Sequence, residues 1–223
     1  MKSASWKNWI VLQPERVLLR KHISMMLPKE INSVLDVGGG SGERYRNLIN
    51  SKVYVCLDND PNLHPDVLAS ADDIPFPNES FDFILSSQML EHVEDPKKCI
   101  EEMFRVCSKG GHLLITVPQT NELHSEPHDY WRFTSFGVEH LLNQAGFKIK
   151  KLSQRGNYPV VIAQMRIRRL IDMTDVYNNK KWLLILFPLS VIYVKTALFL
   201  DKVYSGVASR KHTLGWTYLA EKI

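Results

Sequence analysis

The sequence predicts an α/β fold: a doubly wound, Rossmann-like parallel sheet with helices on both faces. Three observations carry that expectation. Short apolar runs of strand type alternate with stretches of helical periodicity between residues 33 and 152. The first run, Ser33–Val37, opens directly onto Gly38-Gly39-Gly40-Ser41-Gly42 and then a helix-compatible stretch, the strand–turn–helix order of a nucleotide-binding unit. The length of 223 residues suits a single domain, residues 1–223, with room for one decoration.

Taken in order, Pro14–Met26 has an amphipathic pattern with proline in the first turn and reads as a helix. Ser33–Val37 is the first strand, and Glu43–Ile49 continues from the glycine run as a helix. Val53–Leu57 is a second strand ending at Asp58, Val67–Ala71 a short third and Phe81–Ser86 a fourth. Pro96–Val106 places Ile100, Met103, Phe104 and Cys107 at helical spacing. Gly110-Gly111 should turn the chain into strand His112–Val117, which Pro118 stops. Ser135 should cap a helix that runs to Ala145 and ends at Gly146. Phe147–Leu152 alternates as a strand, residues 160–205 read as helical, and Leu214–Ala220 reads as a strand returning to the sheet.

Composition narrows the function classes. A chain that is 44% hydrophobic and 23% charged is neither a disordered tail nor a collagen. Three cysteines without a C-x-x-C spacing leave no disulfide framework and no thiolate zinc cluster. The apolar run at the N-terminus, Trp9–Leu12, is too short for a signal sequence, so a cytoplasmic location is expected. Residues 1–147 carry a net charge of −6 and residues 148–223 a net charge of +10. The basic part also holds the most apolar stretch, Trp182–Leu200. That pairing suits a peripheral contact with the inner face of an anionic membrane or a lipid-like substrate, and suits equally a solvated basic face beside a core helix. Trp182–Leu200 itself is compatible with a buried or substrate-lining helix pair, an interfacial segment or a bilayer span.

The glycine run discriminates among nucleotide ligands by spacing. A dinucleotide fingerprint needs a third glycine at position 43, where Glu43 stands instead, and no Gly-Lys-Ser/Thr of a P-loop exists in the chain. Glu43 at the start of the helix would repel a pyrophosphate, and so the ligand should be nucleoside-like without phosphate at this point. Asp58, at the end of the second strand, is placed to accept both hydroxyl hydrogens of a ribose.

The runs Leu35-Asp-Val-Gly-Gly-Gly-Ser-Gly42, Leu57-Asp58, Ile74-Pro-Phe-Pro77, Ser80-Phe-Asp82, Leu90-Glu-His-Val93, Asp95-Pro96, Arg105-Val106 and Lys109-Gly-Gly111 follow with specific spacing. Over residues 30–155 the chain resembles class I S-adenosylmethionine-dependent methyltransferases, of the type 11 branch. The resemblance implies a seven-stranded sheet of order 3-2-1-4-5-7-6 with an antiparallel last strand. Residues 156–210 then form a helical insertion between strands six and seven, with the character of a lid or a membrane-facing segment. It implies S-adenosyl-L-methionine as cofactor and S-adenosyl-L-homocysteine as product. It implies that Asp36, Gly38, Gly39, Gly40 and Gly42 line the methionine and ribose portion, that Asp58 holds the ribose and that Asn59 lies beside the adenine. The family's third-strand aspartate is Ser70 here, so Asp72, or the backbone near Ala71, is expected to take its place. Ser86, Ser87 and Gln88 are expected at the methionine end.

Methyl transfer is an in-line displacement that the enzyme assists by alignment, and a hydroxyl acceptor usually needs a base. Candidates belong on loops at the carboxyl edge of the sheet. His92 follows the fourth strand. The stretch Pro118–Thr134 is too polar and aromatic for a plain connector, and its His128–Thr134 part resembles methyltransferases of cell-surface polysaccharide and glycolipid synthesis. His128 is the first candidate base, with Asp129 to orient it and His124 as second; Tyr130, Trp131 and Arg132 are candidates for substrate contact. The same residues also suit a bracing role, with His128 and Asp129 bonding backbone and Arg132 pairing an acid. His124 and His128 have the spacing of a metal pair but no evident third ligand, so no metal is expected. The acceptor is expected to be a small molecule, a sugar or a lipid-linked sugar. RNA or protein methylation, or a non-catalytic cofactor-binding module, stand as alternatives; nucleic acid is disfavoured because no RRM-type strand set is present.

Overall fold

The structure, a computed structural model, describes residues 12–175, 180–203, 206 and 211–223. The Trp9–Leu12 run therefore lies, Leu12 apart, outside the described residues. The chain divides into two compact units, one of His22–Ser153 with Gly215–Ile223 and one of Met1–Lys21 with Gln154–Leu214.

The first unit holds a seven-stranded sheet. Its strands are β1 (Ser33–Val37), β2 (Val53–Asp58), β3 (Val67–Leu68), β4 (Phe81–Ser87), β5 (Cys107–Pro118), β6 (Phe147–Gln154) and β7 (Gly215–Lys222). Their order is β3-β2-β1-β4-β5-β7-β6. β1 to β5 pair in parallel and β7 runs antiparallel to β5, with Leu114 opposite Leu219. Val34, Leu35 and Val37 of β1, Ile84 and Leu85 of β4 and Leu113, Leu114 and Ile115 of β5 are fully buried. Adjacent residues buried on opposite faces are what a parallel sheet covered on both sides requires. The register sets Val37 beside Leu57 and Ser86, and Ser87 beside Thr116. The carboxyl ends of β1, β2, β4 and β5 thus come out at one edge.

Helices α1 (Pro14–Met26), α2 (Glu43–Arg46), α3 (Pro96–Val106) and α4 (Ser135–Ala145) follow in chain order. The Asp95 side chain caps α3 by accepting from Lys98 N at 3.0 Å, and Cys99, Ile100, Met103 and Val106 bury its inner face. Strand ends elsewhere move by one or two residues, and four features differ further from the sequence expectation. α2 stops at Arg46 instead of Ile49, because the Tyr45 carbonyl takes both Leu48 N and Ile49 N and tightens the chain into a turn. β3 keeps two residues. Gly110-Gly111 do not turn the chain; they lie inside β5, where the pairing with β4 shifts register between Phe81 and Phe83 and Gly110 takes φ 76°. The cap of α4 is Thr134, whose hydroxyl accepts from Gly137 N at 3.2 Å, and Ser135 is the first helical residue.

In the second unit the 160–205 expectation resolves into two helices, α5 (Tyr158–Thr174) and α6 (Lys180–Val203). Ile167 and Ile171 of α5 cluster with Val194 of α6, and Leu18, Val160, Val161 and Leu214 form a second small core. The Asp201 carboxylate of α6 accepts Asn157 N at 2.6 Å ahead of α5. Among the described residues, no helix is long and apolar enough to cross a membrane.

Candidate active site

The loop after β1 is shaped by glycine. Gly38, Gly40 and Gly42 take φ of 72°, 63° and 73°. A Cβ on Gly38 would stand 2.2 Å from Met89 Cγ, and one on Gly39 would stand 2.3 Å from Asp36 Oδ2. Backbone is therefore all that fits, and a ligand can approach the loop at backbone distance. Asp36 packs against Gly39 of the loop: it is 1% exposed and accepts the Tyr54 hydroxyl at 2.7 Å. Burial pushes its carboxyl up to about 6, against the opposing effect of the Tyr54 bond.

Asp58 ties the ends of β1 and β2 together. Its Oδ2 accepts Gly40 N at 2.8 Å and its Oδ1 accepts Asp60 N at 3.0 Å. A carboxylate offers about four acceptor positions, so each oxygen keeps one for a hydroxyl of the ligand. Asn59 beside it is exposed. After β3, the exposed Ser70 hydroxyl donates to Asp72, and Lys98 Nζ lies 3.3 Å from the second Asp72 oxygen. The Ser70 bond, with Lys98, holds the Asp72 carboxyl below its usual range. Ala71 between them is buried. A glycine cradle, a carboxylate with acceptor positions to spare and an acidic residue, Glu43, at the helix start fit a nucleoside without phosphate at this point.

Ser86 and Ser87 end β4 and Gln88 follows it, at the edge where the methionine end is expected. Ser86 is fully buried, and Ser87 is committed to Tyr45 Oη at 2.8 Å and Thr116 Oγ1 at 3.1 Å. Gln88, with φ 55°, is half-buried and bonds Thr116 Oγ1 through Nε2 at 3.2 Å. Tyr45, Tyr54, Thr116 and Met89 shape this edge and were not singled out in the sequence, where they read as ordinary core and strand positions.

The loop after β5 docks on the short 3-10 turn Leu90–His92. The Glu91 carbonyl accepts Tyr130 N at 2.8 Å, and Trp131 Nε1 donates to the Val93 carbonyl at 2.8 Å. His92 Nδ1 donates to the His128 carbonyl at 2.7 Å, which leaves its lone pair on Nε2. Burial lowers the His92 pKa, which favours the neutral ring. Asp129 does not orient His128. Both its oxygens lie 2.7 Å from Arg132, and it also accepts His124 N at 3.0 Å. That pairing holds its carboxyl well below the usual range. Arg132 also donates to the carbonyls of Asn121 and Glu122, so it braces the loop and is not free for substrate. The His128 ring instead bonds the Tyr130 hydroxyl at 3.0 Å, and that hydroxyl reaches Glu94 at 3.4 Å. Tyr130 and Trp131 are each more than 40% exposed and remain open for stacking. The His124–His128 pair is not brought together as ligands; among the described residues, Glu91, His92 and His124 offer groups that converge to within 4.8 Å.

Residues 35–115 match a family described as a methyltransferase domain. An uncharacterized protein of Methanocaldococcus jannaschii is 33% identical over 117 residues, covering 50% of this chain and 54% of that protein. The ubiquinone/menaquinone biosynthesis C-methyltransferase UbiE of Marinomonas sp. is 31% identical over 141 residues, covering 53% of this chain and 56% of its own. The chain thus spans about half the length of these curated relatives. The solved phosphoethanolamine N-methyltransferase 2 of Haemonchus contortus, in complex with S-adenosyl-L-methionine, is 18% identical, with a TM-score of 0.57 over 93% of this chain and 52% of that one. The sheet order, the glycine loop and the domain match over residues 35–115 together support a class I S-adenosylmethionine-dependent methyltransferase domain in this chain.

Proposed function

We propose that the protein transfers a methyl group from S-adenosyl-L-methionine to a small-molecule, sugar or lipid-linked acceptor. The observation that carries this reading is Asp58, which fixes the glycine loop through Gly40 N and keeps acceptor positions for a ribose. The cofactor supplies an electrophilic methyl on a sulfonium; the chain's task is to hold, align and take a proton. Gly38 to Gly42 and Asp58 hold the nucleoside, and Gln88 serves the amino-acid end. His128 acts as the base. Tyr130 spends its proton on Glu94 and offers its oxygen to His128 Nδ1–H, so the lone pair stands on Nε2. Tyr130 and Trp131 stack on a sugar or ring of the acceptor.

Labelled S-adenosylmethionine should be tested against a panel of nucleotide sugars, glycolipids, RNA and protein. Label should enter a sugar or glycolipid, and His128→Ala should cut the rate by about 100-fold with cofactor affinity unchanged. Label in RNA or protein alone would overturn the acceptor class. Parallel loss of cofactor affinity in His128→Ala would overturn its role as base.

A further inference from the structure

α6 is apolar on two faces, and α5 covers one of them. Val194 and Ala197 are buried, with Ser190 between turns and Asp201 bonded inward to Asn157. On the far side, Trp182, Leu189, Ile192, Phe199 and Val203 are 44–64% exposed. At 3.6 residues per turn they fall, with Thr196, inside an arc of about 100°. The Thr196 hydroxyl is folded back onto the Ile192 carbonyl at 2.9 Å, so this position presents its methyl. A stripe of large apolar groups six turns long is not what water-facing helices show, where charged and polar residues take that face.

Charge identifies the occupant. Lys195 and Lys202 border the stripe on one side, two turns apart, and both are exposed. Residues 156–210 carry eight Lys/Arg against three Asp/Glu, and Asp201 is turned inward. A second copy meeting this face about a two-fold axis would bring the same lysine-bordered surface against itself. An anionic bilayer meets both features: the stripe enters the acyl boundary, and the lysines reach the headgroups. We propose that the exposed face of α6 is a docking surface for an anionic lipid bilayer, a peripheral contact with no span.

The test is sedimentation of the full chain with vesicles of phosphatidylcholine, alone or with one-third phosphatidylglycerol. The wild type should sediment with the anionic vesicles, less so at high salt and less with the neutral ones. Ile192→Glu with Phe199→Glu should weaken binding by about tenfold or more. Lys195→Glu with Lys202→Glu should remove the preference for phosphatidylglycerol. These positions are on the surface, so both variants should keep the wild-type melting temperature and S-adenosylhomocysteine affinity. That second readout separates failure of docking from failure of the methyl-transfer reading. Absent sedimentation of the wild type, or undiminished binding by the Ile192/Phe199 variant, overturns the proposal. So does a wild-type dimer in light scattering that this variant breaks without any vesicle binding, which makes the face a contact between copies.

Discussion

Two buried carboxylates at the same sheet edge are driven in opposite directions, and their partners explain why. Asp36 has a single hydroxyl donor, Tyr54, and its burial dominates; Asp129 has both guanidinium nitrogens of Arg132, which outweigh burial. The consequence for stability differs in sign. The folded-state pKa of Asp36 is raised from 3.8 to about 6, so the folded chain binds its proton more readily than the unfolded chain. That contribution is full below the unfolded value and is lost as pH rises through about 6. Urea unfolding of wild type and Asp36→Asn at several pH values should show the wild type losing up to about 3 kcal/mol relative to the variant between acid and neutral pH. Parallel profiles would contradict the burial account. The place of Asp58 beside the glycine loop was legible in the sequence because the strand it ends pairs with the strand that opens the loop. The partners of Asp36 and Ser87 were not, because a sequence shows which residues stand near a loop and not on which side of it each one packs.

At the scale of elements, the loop after β5 is held by its own ion pair and by backbone bonds to the Leu90–His92 turn. Its excess of polar and aromatic residues marked it in the sequence, and the alternative in which Arg132 pairs an acid is the one the structure shows. The pairing of Asp129 with His128 failed for a local reason. The Asp129 carboxylate is taken up by Arg132 and by His124 N, and the His128 ring turns to the Tyr130 hydroxyl instead. Asp129→Asn should therefore destabilise the fold by about 2 kcal/mol and open residues 119–134 to limited proteolysis, with S-adenosylhomocysteine affinity nearly kept. Unchanged cleavage within the loop would show that the pair does not hold it. The early end of α2 was beyond the sequence, because it is set by the Tyr45 carbonyl taking both Leu48 N and Ile49 N.

For the molecule as a whole, sheet order and strand direction followed from the motifs through family resemblance, including the antiparallel β7 after α5 and α6. Hydrophobic periodicity could not assign the faces of α6, since a helix apolar on two faces has no preferred direction until a neighbour is packed on one of them. The central claim is that the glycine loop and Asp58 bind the nucleoside of S-adenosylmethionine, and calorimetric titration of S-adenosylhomocysteine into wild type and Asp58→Ala tests it most directly. The account predicts micromolar binding by the wild type and a loss of roughly 5–150-fold in the variant, the loss of charge-assisted bonds to the ribose and of the Gly40 tether. Folded wild type that takes up no ligand, or equal affinity in the two proteins, would contradict it.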